Sequence, residues 1–176
     1  MAGLSAATEL AGHGFDPIVI DKGRAVGGRM ATRTIGEARF DHGAQHFGVR
    51  DAGFRSVAAG WKESGLVGEW FQAERINPDG TPNVRHVGRD GMRRIPEHLA
   101  HGLDVRTGTT VTRLQPSDYG LAAMAGDRQI ADGMAVVVTA PVPQLLTLLD
   151  ASDLIPPAAV RSGLERVRYQ AVLAVL

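Results

Sequence analysis

Leu4, Ala7, Leu10 and Ala11 recur at helical spacing, so residues 1–14 predict a helix that begins almost at once. Gly14 suits the left-handed residue just past its end. Residues 16–21 form a short apolar run closed by an acid and predict a buried strand. Residues 22–33 are glycine-rich and loop-like, and 38–47 predict a short strand running into a turn. Phe54, Val57, Ala58 and Trp61 mark a helix over 51–63. A strand is expected at 66–71, a loop at 77–82 and a helix at 91–101. Short strands follow at 103–106 and 109–114, and 119–125 with 128–131 complete a small meander. The unbroken apolar run 135–139 predicts a strand covered on both faces. Residues 141–149 predict a helix with proline near its start. Ile155-Pro-Pro157 breaks the chain before a further helix to about Leu164, and 168–176 is β-like. Strands separated by helices predict an α/β fold with a meander inserted.

Composition narrows the function classes. The 176 residues carry 19 Lys+Arg and 19 Asp+Glu, so no positive excess exists to hold nucleic acid or an anionic membrane. Cys is absent, which removes disulfides, thiolate nucleophiles and thiolate metal sites. The apolar stretches 134–143 and 171–176 are too short to span a bilayer, and no basic segment opens the chain as in a signal peptide. The expectation is a cytoplasmic protein with a small-molecule partner, no nucleic acid and no membrane; the sequence does not fix an oligomeric state.

The first chemistry-bearing pattern is the helix, strand and acid over residues 1–21. In a dinucleotide-binding βαβ unit, a glycine-rich turn opens a helix, and an acid after the next strand takes ribose hydroxyls. Gly3 stands where the last glycine of that turn packs helix on strand, and Asp21 stands where the acid would be. On its own, an acid after a strand such as Asp21 is more often a turn residue or cap than a ribose ligand. Gly27-Gly28-Arg29-Met30-Ala31-Thr32 follows: two glycines let backbone approach a ligand and Arg29 adds fixed charge, a combination suited to pyrophosphate. His42 with His46, and His98 with His101, share metal-ligand spacings but find no third ligand, so no metal is expected. Arg85, Arg89, Arg93 and Arg94 make a basic cluster that reads as solvated surface or as a draw for a phosphate-bearing substrate.

Ile20-Asp21-Lys22, then Gly27-Gly-Arg-Met-Ala-Thr-Arg33, then Phe40-Asp-His-Gly-Ala-Gln-His-Phe47 together resemble the FAD-dependent amine-oxidase superfamily. Within it the sequence is most similar to the renalase-like group and its bacterial NAD(P)/FAD-dependent oxidoreductase relatives. Val87-Gly-Arg-Asp-Gly-Met92, Thr109-Thr-Val-Thr-Arg-Leu114 and Val136-Val-Val-Thr-Ala-Pro-Val-Pro143 continue the likeness in order. The resemblance implies a Rossmann-like FAD-binding domain of glutathione-reductase type, with a β-meander, interleaved with part of an α+β substrate domain. The implied division is 1–47 and 91–150 for FAD, and 48–90 and 151–176 for substrate.

The resemblance implies roles residue by residue. Gly3 matches the last glycine of the dinucleotide turn, and Asp21, with Lys22 beside it, the acid at the adenosine ribose. Gly28 and Arg29 match the pyrophosphate turn, with Met30 and Ala31 approaching the cofactor by backbone. Gly43, Ala44 and Gln45 match the turn against the flavin ring, and Gly91 and Met92 a turn close to the cofactor. Val111 matches the residue whose backbone meets adenine, and Thr139, Ala140 and Pro141 the strand-to-loop turn near the dinucleotide. At position 46, where relatives often carry Tyr, this chain has His46.

The implied activity is hydride transfer from a small dihydronicotinamide- or amine-like substrate to noncovalent FAD, with O2 as acceptor; an NAD(P)H-related compound would be the substrate. The resemblance assigns no catalytic acid or base. A first strand and two glycines are expected before Met1, so the chain reads as a segment of a longer protein. Four aliphatic residues buried in such a strand contribute on the order of 10 kcal/mol, comparable to a whole domain's stability of about 5–15 kcal/mol. Weak or absent FAD binding and poor folding of this segment alone are therefore expected. A carotenoid-desaturase or protoporphyrinogen-oxidase relative, a nonfunctional fragment, and a binding module without catalysis stay open.

Overall fold

The computed structural model describes residues 1–78, 80–152 and 154–172. Helix α1 (Ala2–Gly12) leads to strand β1 (Ile18–Ile20), a 3-10 turn (Gly28–Met30), and strands β2 (Thr32–Ile35), β3 (Ala38–Asp41) and β4 (Phe47–Gly48). Helix α2 (Ala52–Glu63), strands β5 (Val67–Ala73) and β6 (Asn83–Gly88), helix α3 (Arg94–Ala100) and strand β7 (Asp104–Arg106) follow. Strands β8 (Arg113–Ser117), β9 (Gly120–Ala125) and β10 (Arg128–Gly133) precede helices α4 (Val142–Ala151) and α5 (Ala158–Glu165). The architecture is mixed α/β and divides into two compact units: Val26–His101 with Met1, and Ala2–Ala25 with residues 102–172.

The first unit is built on an antiparallel sheet of order β4-β6-β5 and a β2–β3 hairpin. The hairpin turns on two residues, with Gly36 at φ 60, the positive value such tight turns require. Asp51 caps α2 by accepting from Phe54 N at 2.8 Å, and the helix buries Ala58 and Trp61 on its predicted apolar face. Trp61, Val67, Met92 and Ile95 form the core, with Phe47, Phe54, Leu66, Val87 and Leu99 packed around it. A β-bulge at Trp70 interrupts β5: Glu69 pairs with His86 and Phe71 with Arg85.

In the second unit β1 pairs in parallel with β7, and α1 lies on β1 with Leu4 and Ala7 buried. The β8-β9-β10 meander buries Leu114, Ala122 and Met124. Ser152, just past α4, accepts from Leu114 N at 2.8 Å and ties that helix to the meander. The Arg106 guanidinium, hydrogen-bonded to Asp104, holds that exposed carboxyl below its ordinary value. The associated stabilisation is present above the ordinary carboxyl range and fades as pH falls through the lowered value.

Several expectations are corrected. Residues 135–139 form no strand: Val136 and Val137 are 39% and 63% exposed, and β-propensity without a neighbouring edge gives no ladder. The strand expected at 109–114 begins only at Arg113, because Gly108 and Thr109 donate to Gly23 O and Asp21 O and hold the chain at the end of β1. The helix expected from Gly91 begins at Arg94, after Asp90 and Gly91 at φ 64 and 105. Strand β6 was not anticipated; Arg85 and His86 obscure its alternation. Of the β-like run 168–176, residues 168–172 are irregular and 173–176 lie outside the described residues. Within the 77–82 loop, Asp79 also lies outside them. Among the described residues no helix is long and apolar enough to cross a membrane.

Ile95→Ala removes a side chain that is 1% exposed at the centre of the first unit. It should cost about 2–5 kcal/mol in urea unfolding followed by tryptophan fluorescence. Ile76→Ala, at a position 61% exposed, should change little.

Candidate functional site

Two clusters of expected ligand-binding residues form, one in each unit. In the second unit, α1 leaves room at its first turn: a Cβ at Gly3 would meet Thr139 Oγ1 at 3.0 Å. Pro141, two residues on, caps the start of α4. Asp21 follows β1, its backbone N–H donating to Arg106 O at 3.0 Å and its carbonyl accepting from Thr109 N at 3.1 Å. Its Oδ1 accepts from Gly23 N at 2.7 Å, an Asx turn that fixes the carboxylate at the strand end. The other carboxylate oxygen has no partner among the described residues. Val111 is half-buried ahead of β8, and Lys22 is exposed without an ion pair among the described residues. Gly3 and Thr139 are thus brought together.

In the first unit, Gly27 and Gly28 take φ 127 and 51. Only glycine visits such values without strain. Met30 N then donates to Gly27 O at 2.9 Å and Ala31 N to Gly28 O at 3.2 Å, closing the turn. Residues 43 and 44 lie directly on it. Ala44 N donates to Arg29 O at 2.7 Å, and a Cβ at Gly43 would come within 2.1 Å of that same oxygen. Both partners are backbone, so no side-chain movement relieves that clash. Gly28, Arg29, Met30, Ala31, Gly43 and Ala44 are therefore one assembly, and Gln45 follows it in sequence. The Arg29 guanidinium is exposed and has no acid partner among the described residues.

Three residues of this cluster lay outside the expectation. Asp41 receives Met92 N on both oxygens, at 3.0 and 3.1 Å, and also the Thr32 hydroxyl. Thr32 Oγ1 in turn accepts from Arg93 N at 3.1 Å. The N–H groups ahead of α3, which have no partner within a helix, are satisfied by side chains from β2 and β3. Gly91 is required there, since a Cβ would meet Thr32 at 2.7 Å. Arg93 lays its stem against Gly27, its Cγ 3.3 Å from where a Cβ would stand. Asp41 sits inside the Phe40–Phe47 motif, which was the available signal; its partner 51 residues away was not.

His46 contacts both Trp70 and Phe71, with ring centroids 5.9 and 5.6 Å away, and its buried Nδ1 has no partner among the described residues. The Lys62 ammonium holds the exposed Glu69 carboxyl below its ordinary value by a direct hydrogen bond. Among the described residues no three His, Asp or Glu side chains converge as a metal would need.

Comparison with known families gives two matches. Residues 1–57 match an NAD(P)-binding Rossmann-like domain, and residues 49–176 match a flavin containing amine oxidoreductase.

Asp41→Ala leaves the Met92 N–H and the Thr32 hydroxyl without their acceptor, and should cost about 1–3 kcal/mol. Hydrogen exchange at the Met92 amide should quicken in the same variant, and Asp41→Asn, which keeps one acceptor oxygen, should fall between the two.

Proposed function

The chain belongs to the family of flavin containing amine oxidoreductases, matching it over residues 49–176, and from that premise we propose an FAD-dependent oxidoreductase of renalase-like type. The observation that carries the reading is the chemistry of each cluster taken by itself. An Arg29 without an acid partner among the described residues, beside a turn of left-handed glycines, suits a pyrophosphate. An Asp21 carboxylate with one oxygen committed to Gly23 N keeps the other for a ribose hydroxyl.

FAD, held without a covalent bond, supplies two-electron acceptance when bound. The chain's own groups supply binding and orientation. Asp21, with Lys22 beside it, would hold the adenosine ribose, and Val111 would meet adenine through its backbone. Gly3, Thr139 and Pro141 would border the dinucleotide. Gly28, Arg29, Met30 and Ala31 would hold pyrophosphate, and Gly43, Ala44 and Gln45 would lie against the flavin ring. The substrate is a small dihydronicotinamide- or amine-like molecule, an NAD(P)H-related compound fitting the first class, with O2 the final acceptor. The parent fold is of glutathione-reductase type, with FAD-binding segments 1–47 and 91–150 interleaved with substrate segments 48–90 and 151–176. The working location is the cytoplasm.

We also propose that this chain by itself is a fragment that holds FAD weakly. Strand β1 has one neighbour among the described residues, and the valines of 136–138 are unpaired, Val137 being 63% exposed. A parallel sheet ordinarily has both faces covered.

Titration of FAD fluorescence with the purified chain tests both statements. Saturable but weak quenching, lost in Arg29→Ala and Asp21→Ala, is expected. Stoichiometric flavin co-eluting on gel filtration would overturn the weak-binding statement. No saturation at about 1 mM, a binding energy near 4 kcal/mol, by a version of the protein extended at its N-terminus would overturn the flavin reading.

A further inference from the structure

We propose that one face of the β4-β6-β5 sheet, carrying Arg85, Phe71, Trp70 and His46, binds a planar aromatic carboxylate. Arg85 stands in register between Gly48 on β4 and Phe71 on β5. Cross-strand partners share a face, so Arg85 and Phe71 project to the same side. A Cβ at Gly48 would lie 2.6 Å from Arg85 Nη1 and 3.8 Å from its Cζ. The guanidinium therefore lies across β4, in space that glycine alone leaves open.

Arg85 is half-buried, yet among the described residues no carboxylate and no other acceptor meets its guanidinium. Two of its neighbours in the basic cluster differ: Arg94 is exposed and paired with Glu97 at 2.9 Å, and Arg89 is exposed. A half-buried cation gives up part of its hydration, and an anion restores that loss most strongly. One planar fork matches the two oxygens of one carboxylate; phosphate sites ordinarily gather several donors.

The bulge in β5 supplies the aromatic half. It sets Trp70 beside Phe71 with ring centroids 5.0 Å apart, edge to face, and both rings contact His46. Bulges re-aim side chains in this way. Trp70 is 55% exposed and Phe71 44%, so ring surface is open on a sheet whose Arg85 guanidinium has no partner among the described residues. That pairing fits a ligand with a flat apolar ring and one negative end. Nothing in it depends on flavin, so its failure and failure of the flavin reading are separate results.

Calorimetric titration of the full chain with benzoate and with its neutral isostere benzamide tests the site. Benzoate should bind saturably and benzamide roughly tenfold more weakly, the share of a charge-assisted bond. Arg85→Gln should bring benzoate down to benzamide, and Trp70→Ala should weaken both. If Arg85→Gln fails to fold, Arg85→Lys, which keeps charge and stem without the fork, should lose most of the preference. Equal binding of the two probes, no binding of either, or a preference that survives substitution of Arg85 would overturn the proposal.

Discussion

Both oxygens of the Asp41 carboxylate are committed to a main-chain N–H 51 residues further along the chain. That bond fixes much of the first unit. It satisfies the donors ahead of α3, and it recruits Thr32, whose hydroxyl completes the set at Arg93 N. A buried N–H left without an acceptor is costly, so the backbone at 91–93 has little freedom to lie elsewhere. The α3 side chain Ile95 then enters the core at a set depth, with Val67 and Trp61, and Pro96 next to it in sequence is fully buried. On the other side of Asp41, residues 43 and 44 are placed on the 28–30 turn. The expected flavin-facing turn and the expected pyrophosphate turn thus share one scaffold.

What could be read from the chain followed from periodicity and turn chemistry. Helices α1 and α2 show their apolar stripes plainly, and Gly27-Gly28 announce a backbone that ordinary residues avoid. Strand β6 could not be read this way. Its apolar residues Val84 and Val87 are three apart, and the bulge in the adjoining β5 shifts the pairing that would have revealed a period of two. The Asp41–Met92 bond was equally hidden, because nothing in a local window relates an acid on a hairpin to an amide ahead of a helix. The expected site residues were found within conspicuous motifs; the side chains that hold those motifs in place were not.

The run 135–139 shows the opposite error. Its composition is as favourable to a strand as any in the chain, yet it lacks a ladder. A strand is a relation between segments, and propensity describes only one of them. Arg85 makes a related point on the polar side. A tight series of arginines suggests one electrostatic patch, but the sheet puts Arg85 across Gly48 and leaves Arg94 with Glu97. Their environments, not their spacing, decide which charge is available.

The exposed valines near position 137 bear on how the chain behaves in a tube. Unpaired N–H and C=O groups flanked by apolar side chains act as a template for another polypeptide, and natural sheets guard such edges with charge or proline. Here proline arrives only at Pro141 and Asp132 lies before the run, so the valines themselves carry no gatekeeper. Concentration would then favour chain-to-chain pairing at this edge. Handling conditions that keep the protein dispersed would have to act there, and a single lysine placed among the valines would be the most economical solubilising change.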